Sequence, residues 1–111
     1  MSEEKIPFSD WEKIDIRVGT IVEAVPHPSA DKLLVLKIDE GKEEPRQLVA
    51  GIRKHYEPED LIGLKIVFLA NLEPRPLRGI LSNGMILAAV DGEDVSLLTV
   101  SRDIANNAKV Q

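Results

Sequence analysis

Short apolar runs, each cut off by Gly, Pro or a cluster of acids, follow one another along this chain, and almost nowhere does a helical period replace them. That punctuation restricts it to an all-β fold. Around Asp15 to Val25 the apolar Ile14, Ile16, Val18, Ile21 and Val25 are interleaved with Asp15, Arg17, Thr20 and Glu23, the pattern of a half-buried strand, and Gly19 suits a bulge or a sharp bend. Pro26 to Lys32 reads as a loop, Leu33 to Asp39 as a second strand, Glu40 to Glu44 as an acidic hairpin turn and Arg46 to Ala50 as a third strand. Between Glu57 and Gly63, Pro and acids at the start and Gly at the end mark one short helical turn. Lys65 to Ala70 and Met85 to Val90 give a fourth and a fifth strand, and Val95 to Val100 offers one more after a turn at Asp91 to Asp94. Ahead of them, Phe8 to Lys13 is expected to be a short helix, with Ser9 and Asp10 as capping residues, that plugs one end of the core.

The 111 residues, 43% of them hydrophobic, fill one core and leave no room for a second, so a single domain over 1–111 is expected, with residues 1–7 flexible. Five or six short strands, with one short helix between the third and fourth, suit a small closed barrel better than a seven-stranded sandwich. The expectation is an all-β, five-stranded OB-fold. In that fold the face of strands 2 and 3, with the loops joining strands 1 to 2 and 4 to 5, binds oligonucleotides or oligosaccharides. Here those loops are Pro26 to Lys32 and Asn71 to Gly84.

The absence of cysteine excludes a disulfide scaffold, a thiolate zinc site and a cysteine nucleophile. His27 and His55, the only histidines, form no spaced metal signature, so neither metal nor cofactor is expected. His27, Ser29 and Asp31 lie too close in sequence for a hydrolytic triad, which draws on distant segments and a rigid elbow. His27-Pro28 is read as a turn that shapes its loop. No apolar run approaches the roughly 20 residues of a membrane helix, and the polar, acidic N-terminal stretch is not expected to act as a signal peptide. A non-catalytic, cytoplasmic protein is expected.

A net charge of −5 argues on its face against a polyanionic partner. Its distribution argues otherwise. Acids crowd the N-terminal end and Asp39 to Glu44, whereas Pro45 to Tyr56 carries Arg46, Arg53 and Lys54 with no carboxylate until Glu57. Asn71 to Gly84 is long for a connection in so small a domain, and its two prolines make it rigid rather than disordered. It presents the guanidiniums of Arg75 and Arg78, which can fork onto phosphate or stack on bases, and polar groups from Asn71, Ser82 and Asn83. Gly79 and Gly84 permit close backbone approach. These are parts of a site for RNA; the plain alternative is a structural Ω-loop with incidental arginines. Lys32, in the other loop, is placed to reach a phosphate.

A spaced set of motifs runs through nearly the whole chain: Asp15-Ile16-Arg17-Val18-Gly19, His27-Pro28 with Ala30-Asp31-Lys32-Leu33, Gly51-Ile52 with Lys54 and Tyr56, and Asn71-Leu72, Pro74, Leu77-Arg78-Gly79, Ser82 and Gly84-Met85. It resembles the tRNA-binding domains found at the C-terminus of many methionyl-tRNA synthetases, as free-standing tRNA-binding proteins and in synthetase cofactors of the endothelial-monocyte-activating type. The resemblance implies an OB barrel with a C-terminal extension, a homodimer, and tRNA contacts at Asn71, Arg75, Arg78, Ser82, Met85 and nearby Lys54. It also implies a β-subunit or C-terminal domain of a methionyl-tRNA synthetase, partnered by a catalytic subunit, or else a free tRNA chaperone. Two departures stand out: Pro76 where the family commonly has Lys, and Asn106-Asn107 where a Pro-Gly turn is frequent.

Several residues have a plainer reading. Phe8 and Trp11 are expected in core or dimer packing rather than in base stacking, and Tyr56 offers either a stacking face or a buried ring. Asp15 with Arg17, and Asp31 with Lys32, are read as structural ion pairs or turn formers. Leu97, Leu98, Val100 and Ile104 exceed what one small barrel needs and are assigned to a homodimer contact, against the alternative that they cap the barrel. The rival function is a dimeric protein-binding adaptor or chaperone. An oligosaccharide module is disfavoured by the 4% aromatic content.

Overall fold

The computed structural model describes residues 3–111. Met1 and Ser2 of the segment expected to be flexible lie outside the described residues, and residues 3–7 carry no regular structure. The elements are α1 (Phe8–Glu12), β1 (Ile16–Pro26), β2 (Leu34–Asp39), β3 (Arg46–Ala50), α2 (Pro58–Leu61), β4 (Lys65–Leu69), β5 (Arg75–Leu77), β6 (Ile80–Ser82), β7 (Met85–Ile86), β8 (Ala88–Asp91) and β9 (Asp94–Leu97). One antiparallel sheet in the order β3-β2-β1-β4-β7 curls into a nearly closed barrel, and β5-β6 and β8-β9 are separate hairpins. This is the expected OB-like barrel, with α2 between the third and fourth strands and Pro58 at its start.

The core is set by strand alternation. Ile21, Leu34, Leu36, Ile38, Leu48, Leu61, Ile66 and Phe68 are all fully buried, each stabilising the fold by roughly 1.5–3 kcal/mol before entropy is counted. Gly19 sits inside this layer, where an added Cβ would lie 2.4 Å from Ile38 Cγ2. Its role is close packing, and the bulge expected there falls instead between Ile21 and Glu23, where the β1–β2 register shifts.

The seam between β3 and β7 is closed by side chains. Arg46 is only 10% exposed; its Nε and Nη2 donate to the Glu40 carboxylate at 3.0 and 3.2 Å, and its Nη1 donates to Ala70 O and Asn83 O. The guanidinium also lies over Phe68, 5.2 Å from the ring centre. Gln47 bonds across to the same segment, its backbone O accepting from Asn83 N and its side-chain Nε2 donating to Leu81 O. Gly84 has φ +123°, and a Cβ there would meet Leu69 O at 2.6 Å, so only glycine lets the chain pass this point.

Four expectations are corrected. The helix α1 buries no residue and is preceded by Pro7 without a side-chain cap, so it does not plug the core, and Phe8 is 70% exposed. The fifth strand breaks at Leu87: β7 pairs with β4, whereas β8 turns away to pair with β9. The stretch Asn71 to Gly84 is not one loop but contains the β5–β6 hairpin, and Pro76 is tolerated in β5 because that strand pairs on one side only. Leu97 is buried in the barrel core rather than on an outer face, which leaves Leu98 and Ile104 exposed and Val100 half-buried.

The C-terminal stretch runs beside the first half of β1, on the edge that β2 leaves open. Asn107 N donates to Val18 O, Val18 N to Ala108 O and Val110 N to Ile16 O. The turn into it closes from Ala108 N to Ala105 O, with Asn107 at φ +75° in the left-handed region where Gly would otherwise serve. Asn106 Oδ1 accepts from the Thr20 hydroxyl, so the Asn-Asn pair replaces Pro-Gly with a side-chain anchor of its own.

Candidate nucleic-acid interface

Three segments meet at one end of the barrel: the β1–β2 loop, the tip of the β5–β6 hairpin and the turn that follows β3. His27 is buried and joins the first two. Its Nδ1 accepts from Ser29 N at 3.0 Å, which leaves the ring proton on Nε2 to be donated to Leu77 O at 3.0 Å. Arg78 Nη2 donates to Ser29 O at 3.1 Å across the same junction. On the other side of the loop, Arg53 N donates to Lys32 O at 3.2 Å. These bonds gather Lys32, Arg53, Lys54 and Arg78 at one end of the molecule, all four exposed and, among the described residues, in no ion pair.

The hairpin tip explains how Arg78 is presented. Arg78 and Gly79 are its two central residues, with φ of +51° and +89°, the left-handed pair of a type I′ turn. Gly fills such a position freely, and Asn does so at little cost. An Arg there carries strain of order 1 kcal/mol. The side chain is thereby thrown out from the tip with most of its donors unused.

The other residues anticipated from sequence are placed differently. Arg75 is exposed at the far end of β5 from the tip, one short strand away from Arg78. Asn71 is exposed, but both halves of its amide are occupied: Oδ1 accepts from Asp15 N at 2.9 Å and Nδ2 donates to Lys13 O. Ser82 is buried, with Oγ accepting from Val49 N at 2.9 Å and donating to Gly84 O at 3.0 Å. Met85 is 46% exposed on a shallow apolar groove beside Val49, Ile52, Val90 and Val95, and Ile52 on its wall opens the turn that carries Arg53 and Lys54.

Three secondary candidates resolve. Arg46, counted from sequence with the basic stretch, is withdrawn into the seam and is not available to a ligand. Tyr56 is the buried-ring alternative: it packs on the core and its hydroxyl accepts from Leu97 N at 3.0 Å. Asp15 and Arg17 do form an ion pair, at 2.6 Å, whereas Asp31 and Lys32 form none among the described residues and are instead turn formers, the central residues of the turn that Leu33 N closes onto Ala30 O at 3.2 Å. Arg53 joins the cluster without being among the expected contacts, and its position next to Lys54 is the sequence signal for it. Among the described residues no cluster of His, Cys, Asp and Glu could hold a metal ion.

The sequence and the fold have close counterparts. Residues 16–109 match the tRNA binding domain family. The chain is 50% identical over 108 residues to the methionine–tRNA ligase of Pyrococcus horikoshii, a stretch that is 97% of this chain and 15% of that ligase. It therefore spans only a small part of the curated relatives it matches. Among solved structures, the chaperone CsaA from Bacillus anthracis superposes with a TM-score of 0.89 at 33% identity, covering 97% of this chain and all of that one. A MetRS related protein from Pyrococcus horikoshii superposes with a TM-score of 0.90 at 31% identity, covering 98% and 100%.

Proposed function

Because this chain belongs to the tRNA binding domain family, we propose that it is a non-catalytic module that raises the tRNA affinity of a methionyl-tRNA synthetase, as that enzyme's C-terminal domain or β-subunit, and that it works in the cytoplasm. The observation that carries the reading is the convergence of Lys32, Arg53, Lys54 and Arg78 on one end of the barrel, where a backbone bond joins Arg53 to Lys32 and a single guanidinium nitrogen of Arg78 is tied to Ser29 O. In this reading Lys32, Lys54 and Arg78 contact phosphates, Arg75 extends the track along the hairpin, and Met85 lies against an unstacked base or ribose. Asn71 and Ser82 act by holding the two ends of the hairpin segment in place. Recognition is of shape and backbone, so the identity of the tRNA is read by the attached synthetase.

A homodimer joined through Leu98, Val100 and Ile104 would set two such ends on one tRNA. Sedimentation showing only a monomer at micromolar concentration would refute that part. The test of the function itself is titration with total tRNA across a salt series, with duplex DNA as competitor. Saturable binding that weakens steeply with salt and resists the DNA is the expected result. The likeness to the chaperone CsaA and the apolar groove beside Met85 favour a rival reading, a polypeptide-binding module. That reading predicts binding of unfolded chains that salt leaves unchanged and that Arg78→Ala does not weaken.

A further inference from the structure

The cluster of cations contains one residue of the wrong sign. Asp31 is exposed in the turn that Leu33 N closes onto Ala30 O, a bond between backbone groups that does not use its carboxylate, and among the described residues that carboxylate makes neither an ion pair nor a hydrogen bond. A surface that only attracts phosphate gains nothing from it, since a free carboxylate there repels the same ligand. Asp31 is also one wall of a cleft of about 450 Å³ between the loop and the hairpin tip, lined by Ser29, Ala30, Asp31, Lys32, Leu33 and Arg78. Ala30 and Leu33 supply apolar surface, and Arg78, pinned at one nitrogen by Ser29 O, supplies a planar cation at the mouth.

Those are the requirements of a pocket for one unstacked base: a flat partner for its face, apolar surface around its ring and a hydrogen-bonding group for its edge. A carboxylate only accepts, so it selects a base edge that donates. Cytosine and adenine each offer a single amino group. Guanine offers N1–H and the N2 amino group side by side, a pair that matches the two oxygens of one carboxylate. We propose that the cleft between Asp31 and Arg78 is a guanine subsite, with Asp31 reading the Watson–Crick edge of a splayed guanine while Arg78 covers its face. This rests on the RNA-binding reading and adds base selectivity to a surface otherwise read as indifferent to sequence.

The sign of one substitution separates this from phosphate attraction alone. Asp31→Asn removes a negative charge, so on a purely electrostatic surface it strengthens binding to every RNA. In a guanine subsite it selectively weakens the guanine-bearing one, because the amide turns a donor toward one of the two guanine donors. The probes are short oligouridines carrying one central guanine, inosine, adenine or cytosine, with unsubstituted oligouridine as the baseline, titrated by fluorescence anisotropy at low salt. The expected result is guanine tightest by about five- to a hundredfold over adenine, the range of one bidentate edge contact, with inosine between them because it lacks the N2 donor. In Asp31→Asn that preference disappears and baseline binding rises slightly. Total tRNA titrated in parallel keeps the two levels apart: no binding of tRNA overturns the RNA reading itself. Binding of tRNA with no guanine preference, with a preference for another base, or with a guanine preference that survives Asp31→Asn overturns the subsite alone.

Discussion

Arg78→Asn separates what the hairpin tip needs for folding from what it presents to RNA. Asn-Gly is the favoured pair for a type I′ turn, so the substitution relieves the left-handed strain at φ +51°, worth about 1 kcal/mol. It also deletes the bond from Nη2 to Ser29 O, an exposed contact worth about 1 kcal/mol net. The two nearly cancel. Stability should therefore change by less than about 1 kcal/mol, or roughly 4 °C in Tm for a domain of this size. Binding should not be spared. Losing one phosphate contact lowers the slope of log K against log salt by about 0.7–0.9, which at 0.15 M salt corresponds to about a fivefold loss of affinity. Thermal unfolding followed by circular dichroism, beside tRNA titrations at several salt concentrations, reads both quantities on one sample. Unchanged affinity and slope would remove Arg78 from the interface. A loss of stability above about 2 kcal/mol would refute the strain argument and make the residue a structural clasp.

The seam gives two predictions of stability. Glu40→Gln leaves the buried Arg46 without its counter-charge and should cost about 3 kcal/mol in urea unfolding, whereas a cost below about 1 would mean that the Ala70 and Asn83 carbonyls suffice for the guanidinium. Gly84→Ala should cost about 3 kcal/mol or abolish folding, since φ is +123° and the new methyl would meet Leu69 O; a stable variant with intact tRNA binding would show that the β6–β7 connection can shift. The acidic hairpin gives a third prediction. Joint Glu43→Gln and Glu44→Gln substitution should leave tRNA affinity unchanged at 0.15 M salt and raise it about two- to fourfold near 0.01 M, as measured by titration; an equal gain at both would place those acids within direct reach of the RNA.

Most of the barrel was legible because β1 to β4 each carry their own start and stop signals. Alternation located β1 to β4 to within a residue or two, and Pro58 marked α2. The failures share a cause: local sequence cannot say what a segment packs against. Met85 to Val90 is one apolar run, yet it serves two sheets, because Leu87 turns the chain from β4 toward β9. Leu97 and Leu98 are chemically identical, and only the fold assigns the first to the core and the second to the surface. At the candidate site, Arg78-Gly79 between two short apolar-bearing triplets was a hairpin signal hidden by Pro76, which argues against a strand unless the strand is an edge. Arg46 and Arg53 are equally basic in sequence, but Glu40, six residues earlier across a hairpin, claims the first and nothing claims the second.

The same hairpin shows how a chain of net charge −5 can present a polyanion-binding surface. β2 begins at Leu34 beside the loop that holds Lys32 and ends at Asp39 beside the acidic turn. Its six residues span about 20 Å at the rise of an extended strand. The register Leu34↔Ala50 brings the end of β3, and with it Arg53 and Lys54, back to the Lys32 end. Glu43 and Glu44 are therefore held away from the cations by the length of the sheet, not merely by sequence. At physiological salt that separation is more than two screening lengths of about 8 Å, so the repulsion reaching a phosphate bound at Lys32 is small against the attraction of four cations at contact. Net charge governs solubility and long-range approach, while the potential at the surface depends on which charges lie within a screening length. In this barrel the pairing of β2 with β3 decides that membership, so the feature that fixes the fold also sorts the charges.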